Sequence, residues 1–271
     1  MTRLAHFAYL GLLVVVACVV LFPLYYAVVG SLMSDASLVR FPPALVLTEF
    51  EWRNYLRVLE SFPLARQYFN SMLVAGSIVL GVLVTSVLSA YAFVFIDFPL
   101  RRTAFAAFMA TMMIPVESLI IPKYLLVADL GWINAYPGLI VPFIATGFGT
   151  FLMRQFFMTF PSEIREAATM DGCGHLRFIW TILVPLSRHA LGVLAVYIFI
   201  VSYNQFFWPL LVTNTPSMQT LQIGLASLDS AEARSPSIIF AGVVFAIAPT
   251  LVLFYVFQRN IVRGLTAGAV K

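Results

Sequence analysis

Residues 166–185 read EAATMDGCGHLRFIWTILVP. This is a polar stretch in a chain of 271 residues that is 61% hydrophobic. Just upstream, Ser162 can cap a helix, and Glu163 and Glu166 stand in its first turn, where the helix dipole favours acids. Ala167 and Ala168 continue the helix, and Gly172 and Gly174 break it. A second segment, 176–183, runs on to Pro185. The pattern predicts two short helices joined by a glycine elbow, standing out of a membrane between long apolar segments.

The composition outside this stretch sets the class. Only 10% of residues are charged, and the mean hydropathy is +0.95. Those values exclude a soluble globular chain and point to an integral membrane protein. Six apolar runs, 7–32, 68–96, 103–122, 136–157, 190–212 and 238–257, are each long enough to cross the hydrocarbon core. The expected fold is all-α, a single polytopic membrane domain over 1–271, with a polar loop at 159–188. Residues 15–18, VVAC, resemble a lipoprotein cleavage box, but the apolar run continues well past Cys18, so the first run reads as an uncleaved anchor. Cys18 and Cys173 belong to a span and to the polar loop, at different depths, and are not expected to pair.

Within the spans, several features carry expectations. Ser77, Gly81, Thr85 and Ser89 recur every four residues and line one helix face, as close helix packing in lipid requires; chance in a small-residue-rich helix is the alternative. Residues 97–102, DFPLRR, read as a tight basic turn. Pro115 interrupts the third run, Gly147 and Gly149 loosen the middle of the fourth, and 123–135 reads as a short outer loop. Residues 33–67 read as an external loop with a short surface helix.

Orientation follows from the basic residues. With the N-terminus inside, the inner segments hold Arg3, Arg101, Arg102, Arg154, Arg165, Arg177, Arg188, Arg259, Arg263 and Lys271. The outer ones hold Arg40, Arg53, Arg57, Arg66, Lys123 and Arg234. Ten against six, with seven acids outside, puts both termini and the polar loop in the cytoplasm. The net charge of +4 belongs largely to that side and does not argue for nucleic acid.

Chemistry is sparse. A phosphate-cradling GxxxxGK[ST] loop needs a lysine after a glycine, and the two lysines, Lys123 and Lys271, do not follow one. No His or Cys spacing suggests a metal, and the serines of the spans have no nearby His base. Glu117 is the sole carboxylate inside a span. It reads either as a functional site or as a locally paired group beside Pro115. Tyr203, Asn204, Gln205 and Trp208 combine amides, which bond hydroxyls, with rings that pack on sugar faces. The alternative is an aromatic interface belt, which suits Trp208 better than the amides. Glu117 lies fourteen residues past Thr103, and Asn204 fourteen past Ala190. At ~1.5 Å per residue both stand ~21 Å along their helices, at similar depth.

The spacing EAA, three residues, Gly172, nine residues, Ile182, one residue, Val184-Pro185 resembles the EAA loop of permease subunits of ATP-binding-cassette (ABC) importers. Val184 stands where that pattern has Leu. GFGTFLMRQFFMTFPSEIREAA (147–168), YNQFFWPLL (203–211) and QRNIVRGLTAGAVK (258–271) are similar to the inner-membrane permeases of carbohydrate importers, in the second-permease subfamily of the maltose-type branch. Within it, FPLR, MIPVESLIIP and FLMRQFFMTFP look most like glycerol-3-phosphate (glycerophosphodiester) permeases, although no basic cluster within the spans would pair with a phosphate. The likeness covers most of the chain and is weakest over 33–67.

The resemblance implies a bacterial inner-membrane complex. It would contain a second homologous permease, two ATPase subunits that bind ATP and Mg, and an external solute-binding protein; the chain itself would be no enzyme and hold no cofactor. It also implies that Glu166, Ala167, Ala168, Asp171 and Gly172 couple to the ATPase, with Glu166 pairing a basic residue and the alanines allowing close seating. A stand-alone ion-coupled transporter or channel is the rival reading, and it would depend on Glu117.

Overall fold

A computed structural model describes residues 3–61, 63–230 and 235–266. Among them all regular structure is helical: α1 (Arg3–Ser31), α2 (Asp35–Val39), α3 (Arg53–Ser61), α4 (Leu64–Phe95), α5 (Arg101–Ala110), α6 (Ile120–Asp129), α7 (Tyr136–Ile140), α8 (Gly147–Phe157), α9 (Ser162–Met170), α10 (His175–Phe178), α11 (Val184–Leu186), α12 (Arg188–Tyr203), α13 (Phe207–Val212), α14 (Leu221–Ser230) and α15 (Pro236–Thr266). Among the described residues, three helices are long and apolar enough to cross a membrane, and three further helix pairs are sharply bent, giving up to six spans if each pair is one. The charge count drew on Arg234 and Lys271, which lie outside the described residues, as do the side chains of Arg3, Arg259 and Arg263.

Two compact units account for the chain. The first combines 1–65 with 221–249. Side chains of α1 from Leu10 to Tyr25 are largely exposed and apolar, as lipid contact requires. The segment 33–67 holds two helices, α2 and α3, and they are tied down rather than afloat. Asn54, buried on α3, donates its amide to the carbonyls of Ser31 (3.0 Å) and Met33 (2.9 Å) and so caps the end of α1. Gly30 lets Phe240 approach the backbone of α1; a Cβ there would stand 2.8 Å from the ring.

Asp35 does the same at the start of α15. Its carboxylate accepts from the Ser235 hydroxyl (2.7 Å) and from the Ser237 N–H (3.0 Å). Burial pushes this carboxyl up, but the bonds from Ser237 and Ser235 and the nearby Arg57 outweigh it and hold it below its ordinary value of 3.8.

The second unit, built on 66–220, holds the main core: Ile78, Val82, Leu139, Met153, Phe157, Phe178, Leu183 and Leu194 are buried together. The small-residue stripe of α4 has a definite partner here. A Cβ on Gly81 would lie 2.7 Å from Ile144, and the Thr85 hydroxyl donates to the Ile144 carbonyl at 2.7 Å.

The third and fourth spans differ from their expected form. The third is not one helix over 103–122. Its halves, Arg101–Met113 and Val116–Asp129, meet at 94°. Pro115 forces Ile114 out of the helical region (φ −78°, ψ 121°), and the chain restarts beyond it. Helix α6 then runs to Asp129, so Lys123 is helical and not in a loop. The fourth span breaks by 42° between Phe143 and Gly147. Thr146, not a loosened glycine, governs the restart: its hydroxyl accepts the Gly149 N–H at 3.0 Å. Gly147 and Gly149 serve instead for close approach to Met112 and Ser86.

The basic turn is as tight as its sequence suggested. Arg101 reaches back to the Ile96 carbonyl (3.2 Å) and to Asp97 (2.9 Å), meeting the C-terminal end of α4, where a cation is favoured.

Two outcomes follow from these contacts. Asp35→Ala should lower thermal stability in detergent by about 1 kcal/mol at neutral pH. Because folding depresses this carboxyl, its contribution is complete above pH about 4 and is lost as pH falls through the folded value, so wild type and variant should converge in acid. An equal difference at pH 3 and pH 7 would contradict this. Gly81→Val should overpack against Ile144 and cost about 1–3 kcal/mol in the same melt, whereas Ser77→Ala should be near neutral.

Candidate functional site: the polar-loop helix and a polar cleft in the broken spans

Helix α9 carries the EAA residues. Pro161 occupies its cap position, and Ser162 is the first helical residue, making no side-chain cap. That corrects the expected Ser162 cap; a proline before N1 leaves no need for its missing donor. At the other end three backbone bonds close the helix: Asp171 N–H to Ala167 (3.0 Å), Gly172 N–H to Thr169 (3.0 Å) and Cys173 N–H to Ala168 (2.8 Å). Gly172 has φ +72°. This is a Schellman arrangement, whose left-handed residue favours glycine. Gly174, at φ −70°, is ordinary and sits at the cap of α10.

The second segment does not stop at Pro185. A π-helical turn over Ile179–Leu183 precedes it, with the Val184 N–H reaching back to Ile179. The wider turn relieves the proline ring of its clash with the preceding turn. The helix continues through Leu186 and then bends by 81° into α12.

The elbow is latched to α4. The Tyr91 hydroxyl lies 2.6 Å from His175 Nδ1, and the Arg165 Nη2 lies 3.3 Å from the same atom. Arginine can only donate, so Nδ1 is the acceptor in that contact. The Arg165 guanidinium also stands 4.8 Å from the centre of the Phe178 ring.

The two alanines divide. Ala168 is 6% exposed and belongs to the chain's own core with Phe157 and Phe178. Expecting both alanines to form an outer face was therefore wrong for Ala168, because helical period turns it inward. Ala167 is exposed, as are Glu163, Glu166 and Asp171. Met170, absent from the sequence reading, is 89% exposed at the end of the same face. Its position three residues past Ala167 was the available signal.

The second candidate site is a cleft of about 550 Å³ lined by Val116, Glu117, Ile120, Lys123, Phe143 and 205–208. The start of α6 past the break of the third span, and the interruption at 204–206 between α12 and α13, form its walls. Glu117 and Gln205 are therefore brought together, with Trp208. Tyr203 and Asn204 are not among its lining residues: Tyr203 is buried, and Asn204 turns its amide back to the Ile200 carbonyl at 2.8 Å. Trp208 is no interface-belt residue. It is 6% exposed, and its indole N–H donates to the Gly138 carbonyl at 3.0 Å. Lys123, assigned to an outer loop by its sequence, lines the cleft with its ammonium 4.9 Å from the Phe143 ring centre. The sequence pattern ends the third span at Pro122, immediately before Lys123, but Pro122 lies in the first turn of α6, where proline is tolerated, and the helix runs on.

Comparison with known proteins gives a consistent result. The model of the family described as binding-protein-dependent transport system inner membrane component matches residues 77–267. The chain is 40% identical over 263 residues to the sn-glycerol-3-phosphate transport system permease protein UgpE of Rhizobium meliloti, covering 94% of this chain and 93% of that one. It is 37% identical over 262 residues to the protein of the same description from Yersinia enterocolitica, at 94% and 93% coverage. Among solved structures, a bacterial ABC transporter involved in the import of the acidic polysaccharide alginate superposes with a TM-score of 0.85 at 24% identity, covering 95% of this chain and 96% of that one.

The division of the alanines gives a direct test. Ala168→Trp should lower the folded yield and detergent stability of the chain expressed by itself, by about 3 kcal/mol or more, because the core has no room for an indole. Ala167→Trp should leave both near wild type. Equal behaviour of the two variants in size-exclusion and thermal assays would refute the assignment.

Proposed function

The chain belongs to the binding-protein-dependent transport system inner membrane component family and is a permease subunit of an ABC importer; from that premise we propose that it imports a small hydroxylated anion of the glycerol-3-phosphate class and takes its drive through α9. As a permease subunit it is not an enzyme, and ATP is hydrolysed by a separate subunit. In this reading ATP and Mg stay on two partner ATPases. A second homologous permease completes the pathway, an external solute-binding protein delivers the solute, and both termini are cytoplasmic.

The observation that carries the coupling role is the outer face of α9. Glu163, Glu166, Ala167 and Met170 recur at helical spacing and are all exposed. Acids rim a small residue and a bare methionine, a combination suited to seating in a partner's cleft, with Met filling an irregular apolar pocket. The Schellman end and the Tyr91–His175 contact support the mechanical role, because a push on α9 meets a closed helix joined to α4. Glu166 supplies a charge for a basic group of the ATPase. Asp171 and Gly172 shape the end of the helix.

The solute class is supported by the glycerol-3-phosphate transport for which the relatives are named and by the chemistry of the cleft. Gln205 and Glu117 can bond hydroxyls, the aromatic rings can cover C–H faces, and Lys123 adds a cation.

Met170→Asp and Glu166→Lys test the coupling role. Neither touches the core, so membrane insertion should be normal. Association with the ATPase should weaken by about tenfold or more, as for loss of an interface hot spot. If both variants co-purify with full ATPase and keep solute-stimulated hydrolysis, α9 is not the coupling element.

A further inference from the structure

We propose that Lys123 is the counter-charge for a single anionic group of the solute, making the cleft a one-cation, one-carboxylate site that selects for charge. The inference rests on the reading of the cleft as part of the solute pathway.

Lys123 stands out among the basic residues by its surroundings. It is half-buried on α6, a helix of the broken third span, and it is the sole cation among the residues lining the cleft. Among the described residues it forms no ion pair, and its ammonium lies 4.9 Å from the Phe143 ring centre. A ring face attracts a cation without neutralising it. The ammonium is therefore held towards the cleft with its charge uncompensated. A cation within a membrane protein, without a partner carboxylate, is costly unless it serves a ligand or a water-filled path.

The other lining groups define what fits around the anion. Glu117 repels a second negative charge and accepts from hydroxyls. The Gln205 amide can donate to one oxygen and accept from another. Phe143, Phe206, Phe207 and Trp208 give an apolar wall. A solute with one phosphate or carboxylate at one end and hydroxyls at the other satisfies each group. A neutral sugar leaves Lys123 unpaired, and a solute with two separated anions meets Glu117. The choice of lysine matters as well. Its ammonium is a point charge on a flexible stem, able to follow a tetrahedral oxyanion and release it, whereas arginine would clamp two oxygens in a fixed plane. Transport needs binding weak enough to let go.

The chain has only one other lysine, Lys271, which serves as an internal reference. In the intact complex, the rate of Lys123 acylation would be read by mass spectrometry with inorganic phosphate, sn-glycerol 3-phosphate or glycerol present. Protection of Lys123 relative to Lys271 by sn-glycerol 3-phosphate, and not by glycerol, is expected. Protection by inorganic phosphate alone would identify a free-anion site rather than a solute site and would overturn the proposal, as would protection by none of the three.

Uptake of sn-glycerol 3-phosphate into proteoliposomes, normalised to assembled complex, gives the second readout. Lys123→Met should raise the half-saturating concentration or cut uptake by about ten- to a hundredfold, as loss of a charge-assisted bond does. It should also raise the ATP spent per solute moved. Lys123→Arg should recover most of the loss. Wild-type uptake in Lys123→Met, or no recovery in Lys123→Arg, would sink the charge assignment. A wild-type complex that moves no sn-glycerol 3-phosphate would instead defeat the solute named under Proposed function, and the acylation pattern would still decide on Lys123.

Discussion

In hydrocarbon there is no water to satisfy a backbone N–H or carbonyl, so a transmembrane helix can be interrupted only where the protein supplies the missing partners. The second unit depends on meeting that demand at several places. At the fourth span the Thr146 hydroxyl takes the Gly149 N–H, and the Thr85 hydroxyl of α4 gives to Ile144. At the fifth, the Asn204 amide closes the end of α12 and the Trp208 indole serves the Gly138 carbonyl. Groups that looked from their types like solute ligands are partly engaged in this work. The cleft lies where the interruptions meet, as expected if irregular backbone is tolerated only beside a cavity.

The polar loop around α9 obeys a different constraint, since its polar groups are largely exposed and water can satisfy them. There the design problem is stiffness. The Schellman closure of α9, the left-handed Gly172 and the contact of His175 with both Tyr91 and Arg165 turn a loop into a short rigid piece fixed to a membrane helix. Ala168 is part of that fixation because it packs inward. What faces outward is a narrow strip of acids, one alanine and one bare methionine. A permease subunit that receives its energy from another chain needs both properties, a rigid body and a free face.

Much of this was readable from residue order. The six apolar runs, the helical character of 162–170 and the need for glycine at 172 follow from local rules: hydropathy over a window, helix propensity, and the left-handed end of a helix. Those rules act over a few residues and survive in any fold. The broken third span was signalled by Pro115, but the consequence was misjudged. A proline stops a helix locally, and whether another helix resumes depends on what waits to pack against it. The same limit hid Lys123, Met170 and the opposite roles of the two adjacent alanines.

The sequence by itself determined that this chain is a helical membrane protein, because apolar runs of spanning length are written in its composition, and its 166–185 stretch carried a resemblance to the ABC-importer permeases. Tertiary structure alone decided which polar residues face a common space. Glu117 and Lys123 are far from Gln205 in the chain and line one cleft with it only in the folded structure. Asn204 and Trp208 stand beside or within the same segment as Gln205, yet carbonyls elsewhere on the backbone claim their donors. The direction of a side chain is set by the angle and rotation of its helix against its neighbours, and no local rule carries that information.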